Sequence, residues 1–259
     1  MSSSAKRALR VLETIGAADR PLGVTEIARR LSLPPGTVFR SLDALSRSAL
    51  IARFQASSRF VVGEASEQLR RSVIAQFPMR EACLPYLRQL ASLSGETVTL
   101  HVRVGWYAVR IACLPGTGEV SNAPPVGECH ALGSIYCGRA ILAFLAQPEI
   151  TAYRAWAAAK SLAPPSKARL RLVRDRGFDL GLPLFAEPRL PIAFPVRLQD
   201  TAIAAVAIEG SVFAHEHHAA AESPPEWRAI IAEIEGLARK NPALFASPFA
   251  HLDPDGIAL

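Results

Sequence analysis

The chain has 259 residues, 50% hydrophobic and 20% charged, with 16 Gly, 20 Pro and 4 Cys. That composition excludes a disordered, collagen-like or disulfide-stapled chain and can fill one large core or two modest ones. The formal charge of +6 sits at one end: residues 1–71 carry 12 Lys/Arg against 6 Asp/Glu, while residues 72–259 carry 17 of each. A basic surplus gathered this way favours a polyanion partner, because clustered Lys and Arg release counterions from a phosphate backbone.

The Ser-rich, basic start has no apolar signal core, and no run of about 18 apolar residues escapes a charge or a proline. The cysteines Cys83, Cys113, Cys129 and Cys137 include no C-x-x-C pair, which suits free thiols in a reducing compartment. The expectation is a soluble cytoplasmic protein with no membrane partner and no cofactor.

In chain order, Ala5, Ala8, Leu9, Leu12 and Ile15 recur at helical spacing, and Gly16 with Asp19-Arg20-Pro21 ends that helix. A second helix starts near Gly23, with Glu26 three residues on as in a capping box and Ile27, Ala28 and Leu31 as its buried face. After the turn Ser32-Leu33-Pro34, Pro35 suits the first position of a third helix, where its missing N–H costs nothing. Val38, Leu42 and Leu45 form the core stripe of that helix, leaving Gly36, Thr37, Phe39 and Arg40 at its outward N-terminal end. Two short runs, Leu50–Phe54 and Arg59–Gly63, flank a polar turn and read as a β-hairpin.

Three helices and a basic hairpin make a winged helix-turn-helix, with Ser32 where the turn usually opens on glycine. Such a third helix enters the major groove with its N-terminal residues nearest the base edges. Arg40 can fork onto a guanine edge, and Thr37 can hold a phosphate beside backbone N–H groups. Arg53 and Arg59 fall on the wing. The expected DNA-binding set is therefore Pro35, Gly36, Thr37, Phe39, Arg40, Arg53 and Arg59, against the plainer reading of unpartnered surface side chains.

Residues 64–78 read as a linker helix that Pro78 breaks. A further helix carries Ala82, Leu84, Leu87, Leu90 and Leu93 and stops at Ser94-Gly95. Thr97–Val104 alternates as a half-buried strand, Gly105-Trp106 turns, and Tyr107–Leu114 returns. Ser134–Leu145 is predicted as a helix, and Ser166 caps another that Gly177 ends. Ile192–Leu198 and Thr201–Ile208 make a second hairpin, and Trp227 to Leu237 a closing helix. The fold class is α+β around an antiparallel sheet. The domains fall at 1–63, 64–78, 79–240 and a loose tail at 241–259.

The order of these pieces resembles the IclR-type (isocitrate lyase regulator) family of bacterial transcriptional regulators, from about Ser4 to Leu237. It is carried by Ala8–Leu12, Gly36–Leu42, Arg59–Gly63, Val126-Gly127, Gly138–Ala143, Arg176-Gly177-Phe178 and Ile192–Val196. The resemblance implies a GAF-like effector-binding domain, a homodimer or homotetramer, and a duplex DNA operator whose binding a catabolic organic or aromatic acid tunes. Around the pocket that the resemblance implies, the expected effector-binding residues are Leu132, Gly133, Ser134 and Tyr136 before the pocket helix and Ile192 and Ala193 on the sheet, with Glu209, where the family commonly has a small polar residue, supplying the polar contact instead. Ordinary core packing is the plain alternative. Three stretches depart from the family pattern: Asp179–Leu184, Pro191 and Ala131–Tyr136. They lack polar groups that would seat a small carboxylate, which favours a larger, more apolar effector or a pocket that has lost its ligand.

Other chemistry is thinner. Cys137 with His130 is the best place for a redox sensor or a small-molecule-processing enzyme, which needs a thiol of depressed pKa. A winged module that acts only through protein partners is a third possibility. His215-Glu216-His217-His218 has the composition of a metal site without ligand spacing. Gly116-Thr117-Gly118 lacks the end of a phosphate loop. The expectation is a regulator, not an enzyme, with no metal.

Overall fold

The computed structural model describes residues 3–55, 57–117, 124–181, 190–211 and 223–249. The chain divides into two compact units between Ala75 and Gln76.

The first unit holds α1 (Ser3–Gly16), β1 (Leu22–Gly23), α2 (Val24–Leu31), α3 (Pro35–Arg47), β2 (Ile51–Arg53), β3 (Arg59–Val62) and α4 (Glu64–Ala75). Its core joins Val11 and Ile15 of α1, Ile27 and Ala28 of α2, Val38, Leu42 and Leu45 of α3, and Ile51 and Phe60 of the hairpin. Each large member contributes about 1.5–3 kcal/mol by leaving water. Leu9, counted in the apolar stripe of the first helix, is 46% exposed, and Val11 takes the buried position.

The wing has one strand more than the sequence suggests. Leu22 and Gly23 pair antiparallel with Phe60 and Arg59, giving the order β1-β3-β2. The expected capping box is absent, because Gly23 has no side chain to offer. Glu26 instead accepts from Arg20 at 2.7 Å and from Arg30 at 2.8 Å. Ser32 ends α2 in the left-handed region at φ 53°, and Leu33 N–H closes the turn onto Ala28 O at 3.0 Å.

The second unit contains α5 (Met79–Ser94), β4 (Thr97–Val104), β5 (Tyr107–Leu114), β6 (Cys129–Ala131), α6 (Tyr136–Leu142), α7 (Gln147–Ala159), α8 (Lys167–Arg176), β7 (Asp179–Leu180), β8 (Leu190–Leu198), β9 (Thr201–Ser211), α9 (Pro225–Lys240) and α10 (Pro242–Phe245). Six strands form one antiparallel sheet in the order β6-β5-β4-β9-β8-β7. The caps follow the sequence: Ser166 Oγ accepts from Arg169 N–H at 3.1 Å, and Gly95 (φ 71°) and Gly177 (φ 79°) end α5 and α8 in the left-handed conformation.

Two expectations change. β4 is not half-buried: every residue from Thr97 to Val102 is buried, because helices cover both faces of the sheet. α5 and α9 pack on one another and on the sheet, and α6 closes the other face over the small residues Ala193, Ala205 and Ala207. Nor are residues 242–249 a loose end, since Phe245 is buried and the Phe249 ring packs 5.6 Å from that of Phe77. Helix α6 also begins two residues later than predicted, at Tyr136. Gly138 is required there, because a Cβ would stand 2.3 Å from Leu132 O.

Candidate DNA-reading helix and candidate effector site

In the first unit, α3 turns Val38, Ser41, Leu42 and Leu45 inward. That leaves Pro35, Gly36, Phe39 and Arg40 exposed and Thr37 half-buried at the N-terminal turn. Phe39 is 55% exposed. Thr37 and Val38 both donate their N–H groups to Pro34 O, at 2.9 and 3.2 Å. Pro35 has none, so Gly36 supplies the remaining backbone donor of this turn. Arg47 is 2.8 Å from Asp43, whereas Arg40 has no ion pair among the described residues.

The wing arginines differ from one another. Arg53 lies 5.9 Å over the Phe60 ring with its charged head exposed. Arg59 donates to Pro21 O at 3.2 Å. One of its donors therefore holds the chain that enters β1.

In the second unit, the candidate effector residues separate into three groups. Tyr136 and Glu209 meet directly, the phenol hydroxyl donating to Glu209 Oε2. Leu132 and Ala193 lie in the same apolar cluster as Tyr136 and Cys137. The other three are committed elsewhere. Gly133 N–H donates to Tyr153 Oη at 2.6 Å, Ser134 Oγ donates to Ala131 O at 2.8 Å, and Ile192, adjacent to Ala193 on β8, points to the opposite face of the sheet.

Sequence reasoning missed the polar groups that complete this site: Thr99, His101, Arg110 and Glu128. Thr99 Oγ1 donates to Glu209 Oε1 at 3.1 Å, and His101 Nε2 lies 3.1 Å from Thr99 Oγ1. With the Thr99 proton on Glu209, the threonine oxygen accepts from His101, so the imidazole carries its proton on Nε2. Burial, reinforced by the charges of Arg110 and His130, holds the His101 pKa well below the ordinary value, which keeps the ring neutral. Arg110, 4% exposed, pairs with Glu128 and donates to Pro125 O at 3.2 Å. Burial opposes the Glu128 charge, but Arg110 and His130 outweigh it and hold that carboxyl below its usual range. Among the described residues, His101 Nδ1 and Arg110 Nε have no hydrogen-bond partner, two orphaned polar atoms on paired positions of β4 and β5. The one available signal was the polar alternation Thr97, Thr99, His101, Arg103, which reads as a solvent face until α6 covers it.

The thiol alternative finds no support in this geometry. Cys137 is fully buried, and burial, followed by the Glu209 carboxylate, pushes its thiol well above the ordinary value. A reactive thiolate needs the reverse. His130 Nε2 lies 3.0 Å from Glu128 and makes no bond to Cys137. Among the described residues no His/Cys/Asp/Glu group could hold a metal, and no helix is long and apolar enough to cross a membrane. His215–His218, Gly118 and Leu182–Leu184 lie outside the described residues.

Comparison with known proteins agrees with this architecture. Residues 4–53 match the IclR helix-turn-helix domain, and residues 71–172 match the C-terminal domain of the bacterial transcriptional regulator IclR. The chain belongs to the IclR family of bacterial transcriptional regulators. It is 29% identical over 144 residues to the probable transcriptional regulator SauR of Cupriavidus necator, covering 56% of this chain and 57% of that protein. It is 29% identical over 217 residues to the glycerol operon regulatory protein of Streptomyces griseus, covering 81% and 85%. Among solved structures, an IclR homolog from Microbacterium hydrocarbonoxydans complexed with 4-hydroxybenzoate superposes with a TM-score of 0.67 at 18% identity, over 92% of this chain and 98% of that one. At that identity the likeness shows the fold.

Proposed function

We propose that this protein binds a duplex DNA operator through α3 and the wing, and that a small molecule held on the α6-covered face of the sheet changes that binding. The observation that carries the reading is Arg40, exposed at the N-terminal turn of α3 with no acid partner among the described residues, on a unit that holds the whole basic surplus of the chain. The bound 4-hydroxybenzoate of the Microbacterium homolog supports an organic or aromatic acid as effector. Leu69 and Val73 of α4, 60% and 39% exposed, support assembly into a homodimer or homotetramer, the usual match to a palindromic operator. The reading includes a cytoplasmic location and no enzymatic role. An effector acts only by binding one arrangement of the assembly more tightly than another.

The test is an electrophoretic mobility shift on DNA flanking the protein's own gene, at two salt concentrations, with a panel of aliphatic and aromatic acids. A specific shift that one acid modulates supports the reading. A folded protein that gives no specific shift at low salt overturns it.

A further inference from the structure

We propose that Glu209 is a built-in anion of the effector site: its carboxylate fills the seat that a short carboxylate ligand would otherwise take. This rests on the reading of the α6-covered face as the effector site. Two buried hydroxyls converge on this one group from different elements, Thr99 of β4 on Oε1 and Tyr136 of α6 on Oε2. Each carboxylate oxygen thus receives its own donor, the arrangement a free carboxylate would need.

The seat is organised for an acceptor. Thr99 gives its hydroxyl proton to one oxygen of Glu209 and Tyr136 gives its own to the other. With the carboxylate taken away, the buried Thr99 and Tyr136 hydroxyls would each lose the acceptor they have now, and a carboxylate ligand would restore both bonds. Glu209 itself is only half-buried, so the volume of its side chain can be reached from solvent once it is cut back. Arg110, paired with Glu128 and with its Nε unpartnered among the described residues, stands close enough for its charge to act on Tyr136. In the native chain a second carboxylate at this place would face Glu209 and be repelled. Short acids are thereby rejected, and a larger ligand must offer Glu209 a hydrogen-bond donor.

The experiment is isothermal titration calorimetry of acetate and glyoxylate into the full-length native protein, Glu209→Ala, Glu209→Gln and Glu209→Ala/Tyr136→Phe. The expected result is binding to Glu209→Ala at least roughly tenfold tighter than to the native protein, as charge-assisted hydrogen bonds supply. Glu209→Gln keeps the seat full and gains nothing, and Tyr136→Phe removes most of the gain. Binding to the native protein as tight as to Glu209→Ala overturns the proposal, as does a gain that survives Tyr136→Phe. If Glu209→Ala is unfolded in plain buffer, the readout becomes rescue. Acetate at ten times its dissociation constant should then restore a cooperative melt and raise its midpoint by about 3 °C per tenfold increase in ligand, and a failure to rescue overturns the proposal. None of these outcomes touches the DNA test, which fails separately if the folded protein gives no specific shift at low salt.

Discussion

Arg139 Nε lies 2.6 Å from Asp179 Oδ2, and Arg169 reaches the second oxygen of the same carboxylate from 2.5 Å. The aspartate is 2% exposed, so one buried charge on β7 ties α6 to α8. Truncating a partner of a buried pair leaves the remaining charge uncompensated. Asp179→Ala should cost about 3 kcal/mol and lower the melting temperature of the second unit by roughly 6–12 °C. Asp179→Asn, which keeps acceptor capacity, should cost less. Trp106, Trp156 and Trp227 all lie in this unit, so tryptophan fluorescence during urea titration reads it directly.

Arg40→Ala should weaken specific operator binding about 10–100-fold while leaving the melting curve unchanged, as loss of a base-edge contact predicts. Arg53→Ala should instead weaken binding to all duplexes alike and lower the salt slope by about 1. Arg59→Ala should also destabilise the first unit by about 1 kcal/mol, because it loses the bond to Pro21 O. Fluorescence anisotropy on specific and random duplexes at several salt concentrations, with circular dichroism melts, separates the three.

His101 makes the second unit sensitive to pH. Its folded pKa lies well below the ordinary 6.5, mainly through burial, so the unfolded chain binds the proton more readily than the folded one. The stability associated with the neutral ring is therefore complete above about pH 6.5 and falls by up to about 1.4 kcal/mol per unit as pH drops toward the folded value. Urea titrations at pH 7.5, 6.0 and 5.0 should show this slope in the native protein and its loss in His101→Gln.

Ser32 sits at φ 53°, where a Cβ crowds the following carbonyl and glycine does not. Ser32→Gly should stabilise the first unit by about 0.5–1 kcal/mol. Hydrogen-exchange protection of the α2 and α3 amides is the measurement, since no tryptophan lies in that unit.

Features that depend on neighbours within a turn or two were legible in the residues alone. Val38, Leu42 and Leu45 recur at the helical period, Thr97–Val104 alternates at the strand period, and Ser166 and Gly177 mark helix ends by their own chemistry. The charge count placed the basic unit, and the order of motifs identified the family. Which polar side chains meet was settled by long-range packing. Thr99 and Glu209 are 110 residues apart, Tyr136 and Glu209 are 73, and Arg139 and Asp179 are 40. Their encounters follow from strand register, such as Thr97 opposite Glu209, and from which face a second layer covers. β4 shows why: its alternation is the same whether its polar face meets water or α6. Leu22–Gly23 became a strand only because β3 offered it a free edge, and two residues carry no period from which to predict that.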